Sequence, residues 1–146
     1  MTTEIEEKQM GRFSVDVELA NNGDREYARR GDLPAEQVRR MKVRGVVDSG
    51  ATMMVVPEAV VRQLGLETRG TTKVRYANGQ TAERPLARNI ALSCQGRESV
   101  FDAVVEPSRS SALIGAVVLE VLDFVVDCGR QRLVPRDPES TITEVE

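Results

Sequence analysis

The residues best suited to chemistry lie in the segment Val46-Val47-Asp48-Ser49-Gly50-Ala51. The two valines predict the end of a buried strand, so the Asp48 carboxylate follows at the edge of an apolar region that excludes water. Backbone N–H groups and a hydroxyl in such a turn can hydrogen-bond the carboxylate and tune its protonation, which suits acid/base catalysis. An ordinary solvated turn of a β protein fits the same tetrapeptide, because Asp, Ser and Gly are common turn residues.

The composition removes several other kinds of catalytic site. The chain has no histidine, which excludes Ser-His-Asp and Cys-His catalysis, an imidazole base and histidine-ligated zinc. Cys94 and Cys128 belong to no C-x-x-C pair, so we expect reduced residues in or near the core, with a single disulfide as the alternative. Carboxylates are therefore the strongest catalytic candidates, and we expect no metal and no organic cofactor.

The charge and hydropathy of the chain indicate which partners to expect. Lys plus Arg number 20 against 23 Asp plus Glu, a net charge of −3 that does not favour binding to nucleic acid. The first eight residues are acidic rather than basic, unlike a signal peptide, and no apolar stretch is long enough to span a bilayer. We expect a cytoplasmic protein with no membrane partner.

The 146 residues predict one domain with a mostly aliphatic core, since the chain has three Phe, two Tyr and no Trp. We assign residues 1–11 to a polar N-terminal tail, 12–135 to the domain and 136–146 to a polar C-terminal tail, in which 141–145 could pair as a strand. The charged segment 21–40 predicts a solvated excursion without a function, in which residues 33–36 could open a short helix.

Alternation of apolar and polar residues predicts a strand-rich domain. We expect strands at 12–19, 41–47, 53–56, 71–76, 90–94, 99–105, 112–114 and 124–127. Pro57 is expected to open a helix that Gly65 ends, and a second helix is expected over 115–122. Asn78-Gly79 predicts a type I′ hairpin turn, and Gln95-Gly96 connects a second hairpin.

This order of elements resembles the retropepsin-like aspartic proteases from about Arg12 to Pro135. That family follows its D-(S/T)-G-A with a short strand, as in residues 53–56, and carries a mid-chain glycine-containing hairpin called the flap, as in residues 74–80. Near the C-terminus it has two apolar residues and a Gly that open a short helix, as in Leu113-Ile114-Gly115. The resemblance implies an all-β fold: a small closed β-barrel with one or two short helices, active as a homodimer.

The resemblance also implies an aspartic endopeptidase. One chain supplies one Asp-Ser-Gly, whereas the chemistry needs two carboxylates facing one water, so Asp48 would be contributed twice across a two-fold axis. The two carboxylates would share a proton, one acting as base on the water and the other as acid toward the scissile carbonyl. The expected partners are a second copy of the chain and a peptide or protein substrate.

Further site residues follow from the same resemblance. Ser49 would brace the paired turns through its hydroxyl, Gly50 would allow close approach of the substrate backbone, and Ala51 completes the turn. The flap would close over the peptide, and we expect residues 74–84 to be mobile because little anchors their tip. The flap residues are Tyr76, Ala77, Asn78, Gly79 and Gln80. The residues expected to support or line an apolar pocket are Met53, Val55, Leu113, Ile114 and Gly115.

Two alternatives stay open from the sequence. A retropepsin-fold dimer could bind peptides or act as an interaction module without cleaving them. An unrelated small β-barrel could carry the 48–51 turn by accident.

Overall fold

The computed structural model describes residues 12–146. The polar tail predicted for residues 1–11 lies outside the described residues. Nine strands and three α-helices make up the regular structure of the described part, together with a 3-10 turn at Ala35–Gln37. The strands are β1 (Phe13–Asn21), β2 (Arg40–Val47), β3 (Met54–Pro57), β4 (Thr68–Arg75), β5 (Thr81–Cys94), β6 (Arg97–Glu106), β7 (Ala112–Ile114), β8 (Phe124–Asp127) and β9 (Arg132–Pro135). The helices are α1 (Asn22–Arg29), α2 (Glu58–Leu64) and α3 (Ala116–Val121).

Six strands form a closed barrel. The sheet order is β1-β2-β7-β3-β6-β5-β4, and β1 also pairs with β5, which closes the ring and leaves β4 as an extension beside β5. The pairs β2–β7 and β3–β6 are parallel, while β1–β2, β4–β5 and β5–β6 are antiparallel. The all-β closed barrel with a few short helices is therefore confirmed.

The barrel is filled by aliphatic side chains, as the composition predicts. Leu19, Ile90, Leu92 and Val56 are fully buried, and Phe101 is among the few aromatic residues in the core. Each fully buried side chain of this kind stabilises the fold by about 1.5–3 kcal/mol. The inward faces of the barrel strands and one face of α2 and α3 thus share a single core.

The segment 21–40 differs from the expected solvated excursion, because it contains the helix α1. Asn21 caps the helix by accepting a hydrogen bond from the Asp24 backbone N–H, and Asp24 is itself buried against Arg39. This helix has no apolar stripe of the kind that periodicity detects. Capping and an ion pair hold it instead. The short helix expected near residues 33–36 appears as the 3-10 turn.

Both expected hairpins are present, but the turn of the flap hairpin differs from the type that was expected. Gly79 has a positive φ of 85° but Asn78 does not, so the flap tip is a three-residue loop rather than a type I′ turn. The loop is closed by the Tyr76 N–H, which donates to the Gln80 carbonyl, and by the Gly79 N–H, which donates to the Tyr76 carbonyl. Both Gln95 and Gly96 have positive φ, at 50° and 82°, and they form the two-residue turn between β5 and β6. The type I′ geometry therefore lies in the second hairpin.

Smaller differences concern the ends of elements. Pro57 is the last residue of β3 and caps α2 instead of opening it, whereas Gly65 ends α2 in the left-handed conformation as expected. β5 runs unbroken from residue 81 through a bulge at Asn89, and β9 had no predicted counterpart. Residues 141–145 form no strand.

The cysteines divide between core and surface. Cys94 is buried and Cys128 is exposed, and both are free, so the placement of Cys128 near the core was wrong. Burial raises the pKa of the Cys94 thiol.

Candidate active site

The Asp48 turn continues directly from the end of β2. The Asp48 N–H donates to the Ile114 carbonyl at 3.0 Å, and the Ala51 N–H donates to the Asp48 carbonyl at 3.1 Å. The Gly50 N–H donates to Asp48 Oδ1 at 3.0 Å. The carboxylate is thereby oriented by the backbone of its own turn.

Backbone hydrogen bonds from the first residues of α3 hold this turn in place. The Ala116 N–H donates to the Ala51 carbonyl at 2.7 Å, and the Val117 N–H donates to the Thr52 carbonyl at 3.0 Å. A Cβ on Gly115 would lie 2.5 Å from the Met53 carbonyl oxygen, a distance that real Cβ atoms do not reach. The glycine therefore permits the helix to pack directly against the turn.

The second carboxylate oxygen of Asp48 faces a cation in the same chain. Arg12 Nη2 lies 3.1 Å from Asp48 Oδ2, and the Asp48 side chain is 19% exposed. The carboxylate is thus accessible while both of its oxygens have partners within the chain.

Asp48 opens into a cleft of about 880 Å³ between its turn and the flap hairpin. Apolar walls come from Met53, Val55, Val104 and Leu113. The expected apolar lining near Met53 is therefore present, although charged side chains also border the cleft. A cleft of this size and mixed lining can accommodate a stretch of peptide.

The predicted site residues are distributed between the cleft wall and its support. Those that line the cleft are Asp48, Gly50, Ala51, Met53, Val55, Tyr76, Ala77, Asn78, Gln80 and Leu113. Ser49, Gly79, Ile114 and Gly115 do not line it. Ile114 is buried behind the turn, and the exposed Ser49 hydroxyl forms no hydrogen bond with any residue in 12–146.

The flap is anchored by a polar cluster that sequence reasoning missed. The Tyr76 hydroxyl donates to Glu106 Oε2 at 2.6 Å, and Arg84 Nε lies 2.9 Å from Glu106 Oε1. Because the Glu106 carboxylate accepts a hydrogen bond from the protonated phenol, the pKa of Tyr76 is raised above 10.0. One signal was available in the sequence: Glu106 is a single charged residue directly after the apolar pair Val104-Val105.

Cations at the cleft were also missed. Arg12, Lys73, Arg75, Arg84 and Arg109 all line it. Arg109 lies in the loop between β6 and β7, where the sequence shows a Ser-rich segment with no pattern that would indicate a site.

Within residues 12–146 no three His, Cys, Asp or Glu side chains are grouped so that they could hold a metal ion. None of the helices in this part of the chain is long and apolar enough to cross a membrane.

Comparison with known proteins identifies the family. The model of the gag-polyprotein putative aspartyl protease family matches residues 36–121, more than half of the chain, and this range includes the Asp48 turn, the flap and α3. The chain belongs to this aspartyl protease family. The retropepsin-like assignment made from residues 48–51, the flap and residues 113–115 is therefore confirmed at the level of family.

Two further comparisons accompany the aspartyl protease match. No curated protein matches the chain. Among solved structures, EIAV protease complexed with the inhibitor HBY-793 is similar with a TM-score of 0.49 and 15% identity, covering 75% of this chain and 86% of that one.

Proposed function

We propose that the protein is an aspartic endopeptidase whose active site contains Asp48 from each of two chains. The observation that carries the proposal is the Asp48 carboxylate, held by the Gly50 N–H and open to a peptide-sized cleft beneath a hairpin. Membership of the aspartyl protease family supports the same reaction class.

In the proposed reaction, a water molecule lies between the two Asp48 carboxyl groups. The ionised carboxylate takes a proton from the water as its oxygen attacks the scissile carbonyl carbon, and the protonated carboxyl gives its proton to the carbonyl oxygen. The tetrahedral intermediate then collapses: the carboxyl that took the proton of the water gives it to the amine nitrogen, and the C–N bond breaks. As the carbonyl forms again, a hydroxyl of the intermediate returns a proton to the other carboxylate. A carboxylic acid and an amine are released, and the Asp48 pair again holds one proton. No other group is required.

The homodimer is part of this proposal because one chain supplies one Asp-Ser-Gly turn. Within a single chain, Arg12 lies against Asp48 Oδ2 and occupies the position that a second carboxylate would take. In the dimer, Arg12 would therefore move away from this oxygen. The exposed Ser49 hydroxyl, which has no partner in residues 12–146, would then hydrogen-bond across the two-fold axis.

The flap would close over an extended peptide and exclude water from the site. Val55 and Leu113 would contact substrate side chains. We further propose a cytoplasmic location, with which two free cysteines are compatible.

The test is cleavage of an unbiased peptide library by the wild type and by Asp48→Asn. We expect cleavage by the wild type and loss of at least a thousandfold in rate in the variant. Asp127→Asn is the matched control, because Asp127 lies at the end of the apolar strand β8 and accepts a backbone hydrogen bond, from the Arg130 N–H, but lies outside the cleft.

Equal cleavage by wild type and Asp48→Asn would overturn the assignment of Asp48. Peptide binding by the wild type without cleavage at any pH would support the alternative, a silent dimer that binds peptides.

A further inference from the structure

The cleft carries more positive charge than the chain as a whole. Its basic residues are Arg12, Lys73, Arg75, Arg84 and Arg109, and its acidic residues are Asp48 and Glu106. The complete chain has a net charge of −3. Positive charge is therefore concentrated at the site where a substrate would lie.

Both acidic residues of the cleft are already paired. Asp48 contacts Arg12 at 3.1 Å, and Glu106 contacts Arg84 at 2.9 Å. Lys73, Arg75 and Arg109 form no ion pair with any carboxylate in residues 12–146. The unbalanced charge of the cleft comes from these three side chains.

Arg109 is the best placed of the three to contact a ligand. Its Nε donates to the Ser111 carbonyl at 3.0 Å and its Nη2 donates to Ser111 Oγ at 3.2 Å, which fixes the half-buried guanidinium beside the cleft. Its remaining N–H groups have no acceptor among the described residues. A fixed planar guanidinium suits a carboxylate, because less side-chain entropy is lost when the ion pair forms.

Lys73 and Arg75 contribute at longer range. They lie two residues apart on β4 and so share one face of the strand. Glu83 pairs in register with Lys73 without forming an ion pair with it, and Glu83 does not line the cleft. The two cations therefore add positive potential at the rim of the cleft rather than a fixed contact.

We propose that the cleft selects acidic peptides and that Arg109 binds a Glu or Asp side chain of the substrate. The inference rests on the proposed peptidase function, because it names the substrate class of that same site. Arg109 acts on specificity, with the Asp48 pair performing the reaction.

The test uses peptides that differ at one position near the cleaved bond, carrying Glu, Gln or Lys. We expect kcat/KM of the wild type to be about tenfold higher for the Glu peptide than for the Gln peptide, from one charge-assisted contact. Arg109→Met should abolish this preference, so that the ratio of kcat/KM for the Glu and Gln peptides falls to about one, and Arg109→Lys should restore part of it. Arg130→Met, which removes an exposed cation outside the cleft, should leave the preference unchanged.

Binding measured without cleavage separates this inference from the proposed function. The same peptides, labelled with a fluorophore, are titrated with Asp48→Asn protein and with Asp48→Asn combined with Arg109→Met. A Glu preference that depends on Arg109 supports acidic-peptide selection even when no peptide is cleaved.

Three results would overturn the proposal. The first is that the wild type shows no preference for the Glu peptide in either binding or cleavage. The second is that Arg109→Met forms a weaker dimer in sedimentation velocity. The third is that a single-stranded oligonucleotide displaces the Glu peptide. The second result would assign Arg109 to the contact between chains, and the third would assign the cations to a nucleic acid.

Discussion

Tyr76 donates a hydrogen bond of 2.6 Å to Glu106, which ties the base of the flap tip to the end of β6. Arg84 completes the contact from β5, since its Nε lies 3.1 Å from the Tyr76 hydroxyl and 2.9 Å from Glu106 Oε1. The sequence suggested a hairpin with little to anchor it, and that reason was wrong. Opening of the flap requires this three-residue contact to break.

Removal of the phenolic hydroxyl should loosen the flap. In Tyr76→Phe we expect amide exchange of residues 76–80 to become several-fold faster, because the hydrogen bond to Glu106 is lost while the ring remains. Tyr27→Phe is the matched control, since Tyr27 is exposed and its ring contacts Arg30, the C-cap residue of α1. Unchanged exchange in Tyr76→Phe would show that Glu106 does not restrain the flap.

The same contact predicts an alkaline titration. Glu106 favours the protonated phenol, so the pKa of Tyr76 lies above the ordinary 10.0 in the folded protein. The stabilisation is therefore present below pH 10 and is lost as the pH rises through the raised value. In a Tyr27→Phe background, ultraviolet absorbance should show Tyr76 ionising above pH 10, and Glu106→Gln should shift the midpoint downward. An unshifted midpoint would contradict the contact.

Gly115→Ala should destabilise the protein by about 3 kcal/mol. Its Cβ would lie within 2.9 Å of the carbonyl oxygens of residues 51, 52 and 53, and a backbone cannot yield as a flexible side chain can. Urea unfolding measures the loss. Gly129→Ala is the control, because its nearest neighbour would be Asp127 Oδ1 at 3.7 Å. Any activity should fall with stability, since the displaced segment continues into the Asp48 turn.

Asp24→Asn should lower the free energy of unfolding by about 2 kcal/mol near neutral pH, because Arg39 loses a charged partner. The hydrogen bonds from Arg39 hold the pKa of Asp24 below its ordinary 3.8. The ion pair therefore stabilises the fold above pH 3.8 and ceases to do so as the pH falls through the lowered value.

The difference between wild type and Asp24→Asn should accordingly shrink in acid, as followed by urea unfolding at several pH values. Asp32→Asn is the control, because the Asp32 contact with Arg30 is 3.6 Å long and exposed. A difference that persists unchanged at low pH would contradict the role of the Arg39 contact.

Dilution should reduce specific activity if each site needs two chains. At concentrations well below the dimer dissociation constant, the specific activity should halve with each twofold dilution, and a carrier protein controls for loss on surfaces. Sedimentation velocity at the same concentrations reports the dimer fraction. Constant specific activity where only monomer is present would reject the two-chain site.

The sequence predicted the parts of the fold that alternation and turn residues specify. β1 was found from its two-residue apolar period, β2 and β7 were found from apolar runs, and the 48–51 and 113–115 segments were found from their resemblance to a family. The sequence did not predict helix α1, because the helix is stabilised by the Asn21 cap and by the ion pair between Asp24 and Arg39. Neither of these contacts produces a periodic pattern of apolar residues.

The remaining parts of the candidate site depend on contacts between residues distant in the chain. Arg12 reaches Asp48 across the register of β1 and β2, and Tyr76 reaches Glu106 across β5. Alternation within one strand carries no information about which side chains meet in this way. The contacts between charged residues at the border of the cleft therefore required the three-dimensional structure and could not be predicted from the sequence.

The parallel pairing of β2 with β7 has a consequence for how the chain folds. Residues 45–47 pair with residues 112–114, so the barrel cannot close until the long intervening segment has formed a loop that brings the two strands together. Such non-local pairing slows folding. During synthesis the Asp48 turn would leave the ribosome well before residues 114–117, whose backbone groups hydrogen-bond to it. The turn would therefore stay unformed in the nascent chain until those residues emerge. The timing of synthesis thus delays the formation of an ordered Asp48 turn.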